Sequence, residues 1–153
     1  MQQATDAAEE TVAALVHLVA LERDMIAALE AVRDRLPRAD RGQLDQLLTE
    51  HVDRLPVLEQ QVRDLGGRPP GPGPRPSELP RDASDIAVAG DPGAAVRALA
   101  DDHEALADAY REVLALPGED DEARHMLEHF ASEMEQHGAR LAALLPAVQP
   151  AAV

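Results

Sequence analysis

Four ionisable residues interrupt apolar stripes that are otherwise built of Leu, Val, Ile and Met. Along four stretches of the chain the apolar residues recur at alternating steps of three and four, the period of an amphipathic α-helix. Near the middle of each stripe one member is Glu22, His51, His103 or His137. An unpaired ionised group inside a core costs several kcal/mol, roughly the whole net stability of a small domain. Four at matching heights imply a shared polar site. Imidazoles with a carboxylate are donors for a transition-metal ion, so a metal is the occupant this pattern suggests.

The rest of the composition favours helix-on-helix packing. The 153 residues, 45% of them hydrophobic, suit one domain spanning 1–153. Tyr110 and Phe130 are the only aromatic residues, so the core must be mostly Leu, Val and Ala, too poor in aromatic and β-branched residues for a sheet protein. A formal charge of −15 excludes nucleic acid and an anionic membrane surface as partners, because both need clustered Arg or Lys. It suits attraction of cations, although solubility alone would explain it. Without Cys there is no disulfide and no thiolate ligand. The polar start Met1–Asp6 does not read as a signal peptide, and no apolar run reaches the ~20 residues of a membrane span, so the cytoplasm is the expected compartment.

Helix boundaries follow from caps and breakers. The first helix is expected over about 5–36, capped by Thr5 or Asp6, with a main stripe of Val12, Leu15, Val19, Glu22, Ile26, Leu29 and Leu36. A second stripe, Leu18, Leu21, Met25, Ala28 and Val32, lies beside it and calls for a further neighbour or a dimer partner. The second helix, about 43–65, carries Leu44, Leu48, His51, Leu55, Leu58 and Val62. Pro56 should kink it, and Gly66-Gly67 should end it. From 66 to 91 the chain is rich in Pro and is expected to be a non-helical crossover, long enough to travel the length of a bundle. Asp91-Pro92 opens a third helix over about 92–116, with Val96, Leu99, His103, Leu106, Tyr110 and Val113. The fourth spans about 120–145, with Leu127, Phe130, Met134, His137, Leu141 and Leu144. The halves repeat one another, so two helical hairpins should form one four-helix bundle.

Candidate ligands follow from the faces. In the last helix His125, His129, Glu133 and His137 step by four, and each step drifts ~40° around the axis. The ladder therefore winds from solvent at His125 to the core at His137, and Glu133 can share an ion with His137. Glu50 and Glu104 adjoin His51 and His103 but point ~100° away, which suits partners that orient the imidazoles. Tyr110 should be core, its hydroxyl bonded to a carboxylate. A buried His on its own is more often a hydrogen-bonded core residue than a ligand; the metal reading rests on the four in register.

Taken together, Leu21-Glu22, Glu50-His51 followed by Leu65-Gly66-Gly67-Arg68-Pro69, Ala109-Tyr110-Arg111-Glu112 and Gln136-His137 resemble the ferritin-like superfamily. The nearest resemblance is to the small bacterial four-helix proteins of the DUF2383 (PA2169-like) type. It implies an all-α, ferritin-like four-helix bundle with a carboxylate–histidine di-iron site between the helices. The chain departs from the Glu-x-x-His pattern expected on the second and fourth helices: Leu48 and Met134 stand three residues before His51 and His137. His103 stands where a Glu is usual. A mononuclear, altered or relic site is the better expectation.

Two functions remain open at this point. One is a ferritin-like metal-binding protein in stress response or metal handling, with Glu22, His51, His103 and His137 as ligands and Glu133 as an extra carboxylate. Iron, zinc and manganese all fit that set. The other is a non-catalytic helical module with a relic metal site, forming a homodimer or binding a partner through the second stripe of helix 1. No nucleophile motif or phosphate loop points to a hydrolase or transferase.

Overall fold

The computed structural model describes residues 2–71, 76–117 and 120–148. Its elements are α1 (Gln2–Arg35), a 3₁₀ turn (Arg38–Asp40), α2 (Arg41–Asp64), α3 (Ala83–Ala87), α4 (Pro92–Leu114) and α5 (Asp121–Val148). There is no strand among the described residues. The architecture is the all-α bundle expected from the spacing, with α1/α2 and α4/α5 as its two hairpins and α1 packed against α4.

The ends of the elements follow local chemistry. Asp91 caps α4 by accepting from the Ala94 N–H at 2.7 Å, with Pro92 at the first helical position. Asp120 does the same for α5 through the Ala123 N–H at 2.7 Å. At the end of α2, Gly66 has φ +86°, and the N–H groups of Gly66 and Gly67 donate to the carbonyls of Arg63 and Val62, both at 2.9 Å. This pair of bonds closes the last turn and requires a residue that tolerates the left-handed region.

Three expectations about the elements need correction. α1 begins at Gln2, so Asp6 lies inside the helix and not at its cap. α5 continues to Val148, past the expected end near 145. The crossover is not free of helix. Between Pro80 and Pro92 there is no proline, and there α3 forms, with Asp82 and Asp85 in a reciprocal capping box and Ile86 buried. Pro56 sits within an unbroken α2. Its missing N–H leaves the Val52 carbonyl without a helical partner, on a residue 47% exposed where water can supply one.

Helix α1 is the hub, packing against α2, α3 and α4. Its second stripe is covered by its own chain: Leu18, Met25, Ala28 and Val32 are fully buried and Leu21 is 3% exposed. The apolar surface that suggested a dimer through helix 1 is therefore interior, and the motive for that dimer falls away. The crossover is strapped along α1. Arg23 donates to the Pro70 carbonyl at 2.5 Å, Asp24 accepts from the Glu78 N–H at 2.9 Å, and Arg35 donates to the Ile86 carbonyl at 2.9 Å. Opposite this well-packed side, α2 and α5 stand farthest apart of the neighbouring long helices, and polar side chains bridge them.

Asp102, on α4, anchors the crossover from the other side by accepting from the Arg81 N–H at 2.8 Å. Its second oxygen is buried without a partner. Burial, helped by Asp101 and Asp82 and opposed by the Arg81 bond, lifts its carboxyl from the ordinary 3.8 to about 7. The folded state thus holds a proton that the unfolded chain has lost, so stability falls as pH rises from about 4 to 7 and levels off above. Asp102→Asn keeps the acceptor for Arg81 and removes the charge. It should raise the melting temperature at pH 8 and leave it nearly unchanged at pH 4; an equal shift at both pH values would contradict this account.

Candidate metal centre

The inward face of α2 is Leu44, Leu47, His51, Arg54, Leu58 and Val62. His51 therefore meets His103 of α4 and His137 of α5 at the centre of the bundle, all three at most 1% exposed. The rings form a triangle with centroids 5.2, 5.1 and 5.7 Å apart, each pair inclined at 63–71°. One nitrogen from each ring lies within 4.8 Å of the other two.

Their hydrogen bonds decide which nitrogens hold lone pairs. His103 Nδ1 lies 3.1 Å from the Leu99 carbonyl, which can only accept, so Nδ1 carries the proton and Nε2 is bare. His51 Nδ1 lies 2.5 Å from a carboxylate oxygen of Glu22 and donates to it. Arg54 Nη1 is 3.3 Å from the same nitrogen, but a guanidinium cannot accept, so with Nδ1 donating this approach is not a hydrogen bond. The Nε2 atoms of His51 and His103 then face one another at 3.2 Å. Two lone pairs at that distance repel unless a cation, a proton or a metal ion, lies between them. Both ring nitrogens of His137 are buried without a hydrogen bond. Glu50 approaches its Nε2 at 2.6 Å without forming a hydrogen bond to it.

Electrostatics keep two of the imidazoles neutral. Burial and the neighbouring His51 push His103 well below its ordinary pKa, the Leu99 bond opposing. Burial, His51, Arg54 and Arg140 bring His137 down to about 3. Neither takes up a proton in the neutral range, so their lone pairs stay available to a metal.

Glu22 is the anion of the core. Burial alone would raise its pKa, but His51, Arg54 and the Tyr110 hydroxyl outweigh it and hold the carboxyl at about 2. The Tyr110 hydroxyl donates to one oxygen at 2.5 Å, as its place on the stripe suggested. Arg54 Nη1 lies 3.5 Å from that oxygen. The same guanidinium is 3% exposed, packs 5.0 Å from the Phe130 ring centre, and reaches Glu133 through Nη2. Arg54 was missed because hydropathy excludes Arg from an apolar stripe. Leu48 and Leu55 took its place in the expectation, yet both are only partly buried. The signal was present: 44, 47, 51, 54 and 58 keep the same alternation of three and four.

The five expected ligands thus separate into two groups. His51, His103 and His137 converge. Glu22 touches the triad through His51, and Glu133 lies beyond Arg54, bonded to it and 2.9 Å from the exposed His129. His125 is solvent-exposed beside Glu128 at 3.7 Å, and Glu104 is exposed. Glu50, expected as an orienting partner beside His51, instead approaches His137 from the α2–α5 seam, without a hydrogen bond to it.

Three imidazole nitrogens within 4.8 Å of one another could serve a single ion. A tetrahedral site with bonds of about 2.0–2.1 Å places its donors about 3.4 Å apart, close to the His51–His103 separation. The two-iron arrangement implied by the resemblance does not fit. Leu48 and Met134 take the positions three before His51 and His137, and a guanidinium lies between the carboxylates of Glu22 and Glu133.

The sequence profile of the ferritin-like domain matches residues 46–149, and the chain belongs to the ferritin-like family. Solved structures of two mycobacterial proteins are among those that share its fold. A conserved hypothetical protein of Mycobacterium tuberculosis superposes with a TM-score of 0.72 at 20% identity over 97% of each chain. A point mutant of Dps1 from Mycobacterium smegmatis superposes with a TM-score of 0.70 at 17% identity, over 92% of this chain and 97% of that one. Among curated proteins none matches this chain.

Removing Arg54 leaves Glu22 and Glu133 without their shared cation. Arg54→Met should destabilise the fold by about 3–5 kcal/mol in urea unfolding, the usual cost of breaking a buried pair. In a Glu22→Gln background the same change should cost clearly less. An equal cost in both backgrounds would show that Arg54 acts through packing and not through its charge.

Proposed function

We propose that this chain is a transition-metal-binding member of the ferritin-like family that holds one ion on His51, His103 and His137, in metal handling or stress response. The observation that carries the reading is the convergence of three buried imidazoles whose unprotonated nitrogens have no protein donor to accept from. Iron(II) and zinc suit such a set better than manganese, which prefers oxygen donors. Three protein ligands leave a coordination position open, through which a bound ion would offer a Lewis-acid or redox centre.

The surrounding residues fit this role. Glu22 fixes the orientation of the His51 ring, and Tyr110 and Arg54 fix Glu22. The Leu99 carbonyl does the same for His103. Glu22 and Glu50 bring negative charge near the site, which offsets part of the cost of burying a divalent ion there.

Elemental analysis of protein purified without added metal, then loaded at neutral pH, tests the proposal. Near-stoichiometric iron or zinc is expected. Binding to the folded state alone should stabilise it by about 2.7 kcal/mol at a hundredfold excess over Kd. His51→Leu with His137→Leu should abolish uptake while keeping the helical content. If the wild type takes up no iron, zinc or manganese, the three histidines form a structural polar network and the non-catalytic module becomes the better reading.

A further inference from the structure

Two carboxylates reach from the surface toward the buried triad, Glu133 and Glu50. Glu133 lies toward one end, but the guanidinium stands between it and the imidazoles. A metal cation approaching from there would meet a fixed positive charge. Glu50 approaches the triad directly. Its side chain is 41% exposed, yet one oxygen is 2.6 Å from the Nε2 of His137, which is 1% exposed. Glu50 thus joins solvent to the triad in a single side chain.

The outer end of Glu50 opens on a groove of about 600 Å³ along the α2–α5 seam, lined by Asp45, Gln46, Thr49, Glu50 and Arg140. This is the seam where the long helices are least closely packed. Arg140 holds Glu50 from outside, with Nη1 3.1 and 3.4 Å from its two oxygens and Nη2 3.1 Å from Gln46. Its side chain is 29% exposed, so it can swing into water without opening the core. Asp45 faces the same groove and is tied to Arg33 at 2.5 Å.

We infer that this groove is the route by which a divalent metal cation reaches the triad, with Glu50 as the relay that takes the ion from solvent and passes it to His137. The inference rests on the metal reading above. It does not make Glu50 a resident ligand: the convergent group is the three imidazoles, and of these Glu50 approaches His137 alone. His137 is the second half of the device, with two buried ring nitrogens that make no hydrogen bond and with Nε2 beside the carboxylate that faces water. Arg140 keeps Glu50 in place when no ion is passing and is displaced by the cation's competing charge.

Cobalt(II) is a suitable probe, because its visible absorption reports coordination and can be followed in a stopped-flow mixer. Wild-type protein should develop nitrogen-ligand bands with one ion bound. Glu50→Gln should slow that development by about tenfold or more, the scale of a lost steering charge, and reach the same final spectrum and stoichiometry. Glu104→Gln removes the same charge from an exposed site beside His103 and should leave the rate within about twofold of wild type, as expected for a screened surface charge. Arg140→Gln should bind cobalt at least as fast as wild type. The relay is overturned if Glu50→Gln takes up cobalt at the wild-type rate, or slows no more than Glu104→Gln. It is also overturned if Glu50→Gln changes the final spectrum or stoichiometry, since Glu50 would then be a ligand. A wild type that binds no cobalt overturns the metal reading itself, and the relay with it.

Discussion

A single negative charge at the centre of the bundle, on Glu22, sets the terms for everything polar around it. Removed from water, a carboxylate of this kind persists only if each lone pair is answered. Tyr110 answers from α4, and His51 and Arg54 answer from α2. Arg54 then carries the network to Glu133 on α5. One charge therefore ties together all four long helices, and each link fixes the rotation of a helix about its own axis. Buried networks of this kind are weak sources of net stability but strong sources of penalty for the wrong packing. A helix rotated by one residue would leave a charge stranded.

The same constraint prepares the histidines. Because Glu22 is held ionised, it takes the Nδ1 proton of His51 as a hydrogen bond and leaves Nε2 bare. Arg54 offsets one of the two negative charges of Glu22 and Glu133, and the groups that converge in the triad itself are imidazole nitrogens. The result differs from a pair of ions bridged by carboxylates. The fold is the ferritin-like one, while its interior brings together three imidazoles and a guanidinium where the resemblance implied carboxylates around two ions.

Much of this could be read in the sequence because helices write their packing as a period. The alternation of three and four placed His51, His103 and His137 on inward faces, Asp91-Pro92 and Asp120 marked helix starts, and Gly66-Gly67 marked an end. Tyr110 was placed correctly against a carboxylate. The failures have physical causes. Arg54 keeps the period but not the polarity, so a reading by hydropathy moved the stripe of α2 onto Leu48 and Leu55. The short α3 hid in a segment judged by its prolines, although the eleven positions between Pro80 and Pro92 have none. The second stripe of α1 looked like a partner surface because its cover, α3 and α4, comes from distant sequence. Whether the triad binds an ion is a different kind of statement: spacing can bring donors together but does not fill them.

X-ray absorption at the zinc edge of the zinc-loaded protein tests the central claim most directly, because it reads the donor atoms themselves. Three imidazoles predict a first shell of nitrogen-type scatterers at about 2.0–2.1 Å with the outer-shell pattern of three rings. A shell dominated by carboxylate oxygens with one imidazole or none would contradict the account, placing the ion at Glu22, Glu50 or Glu133 and leaving the histidines as packing.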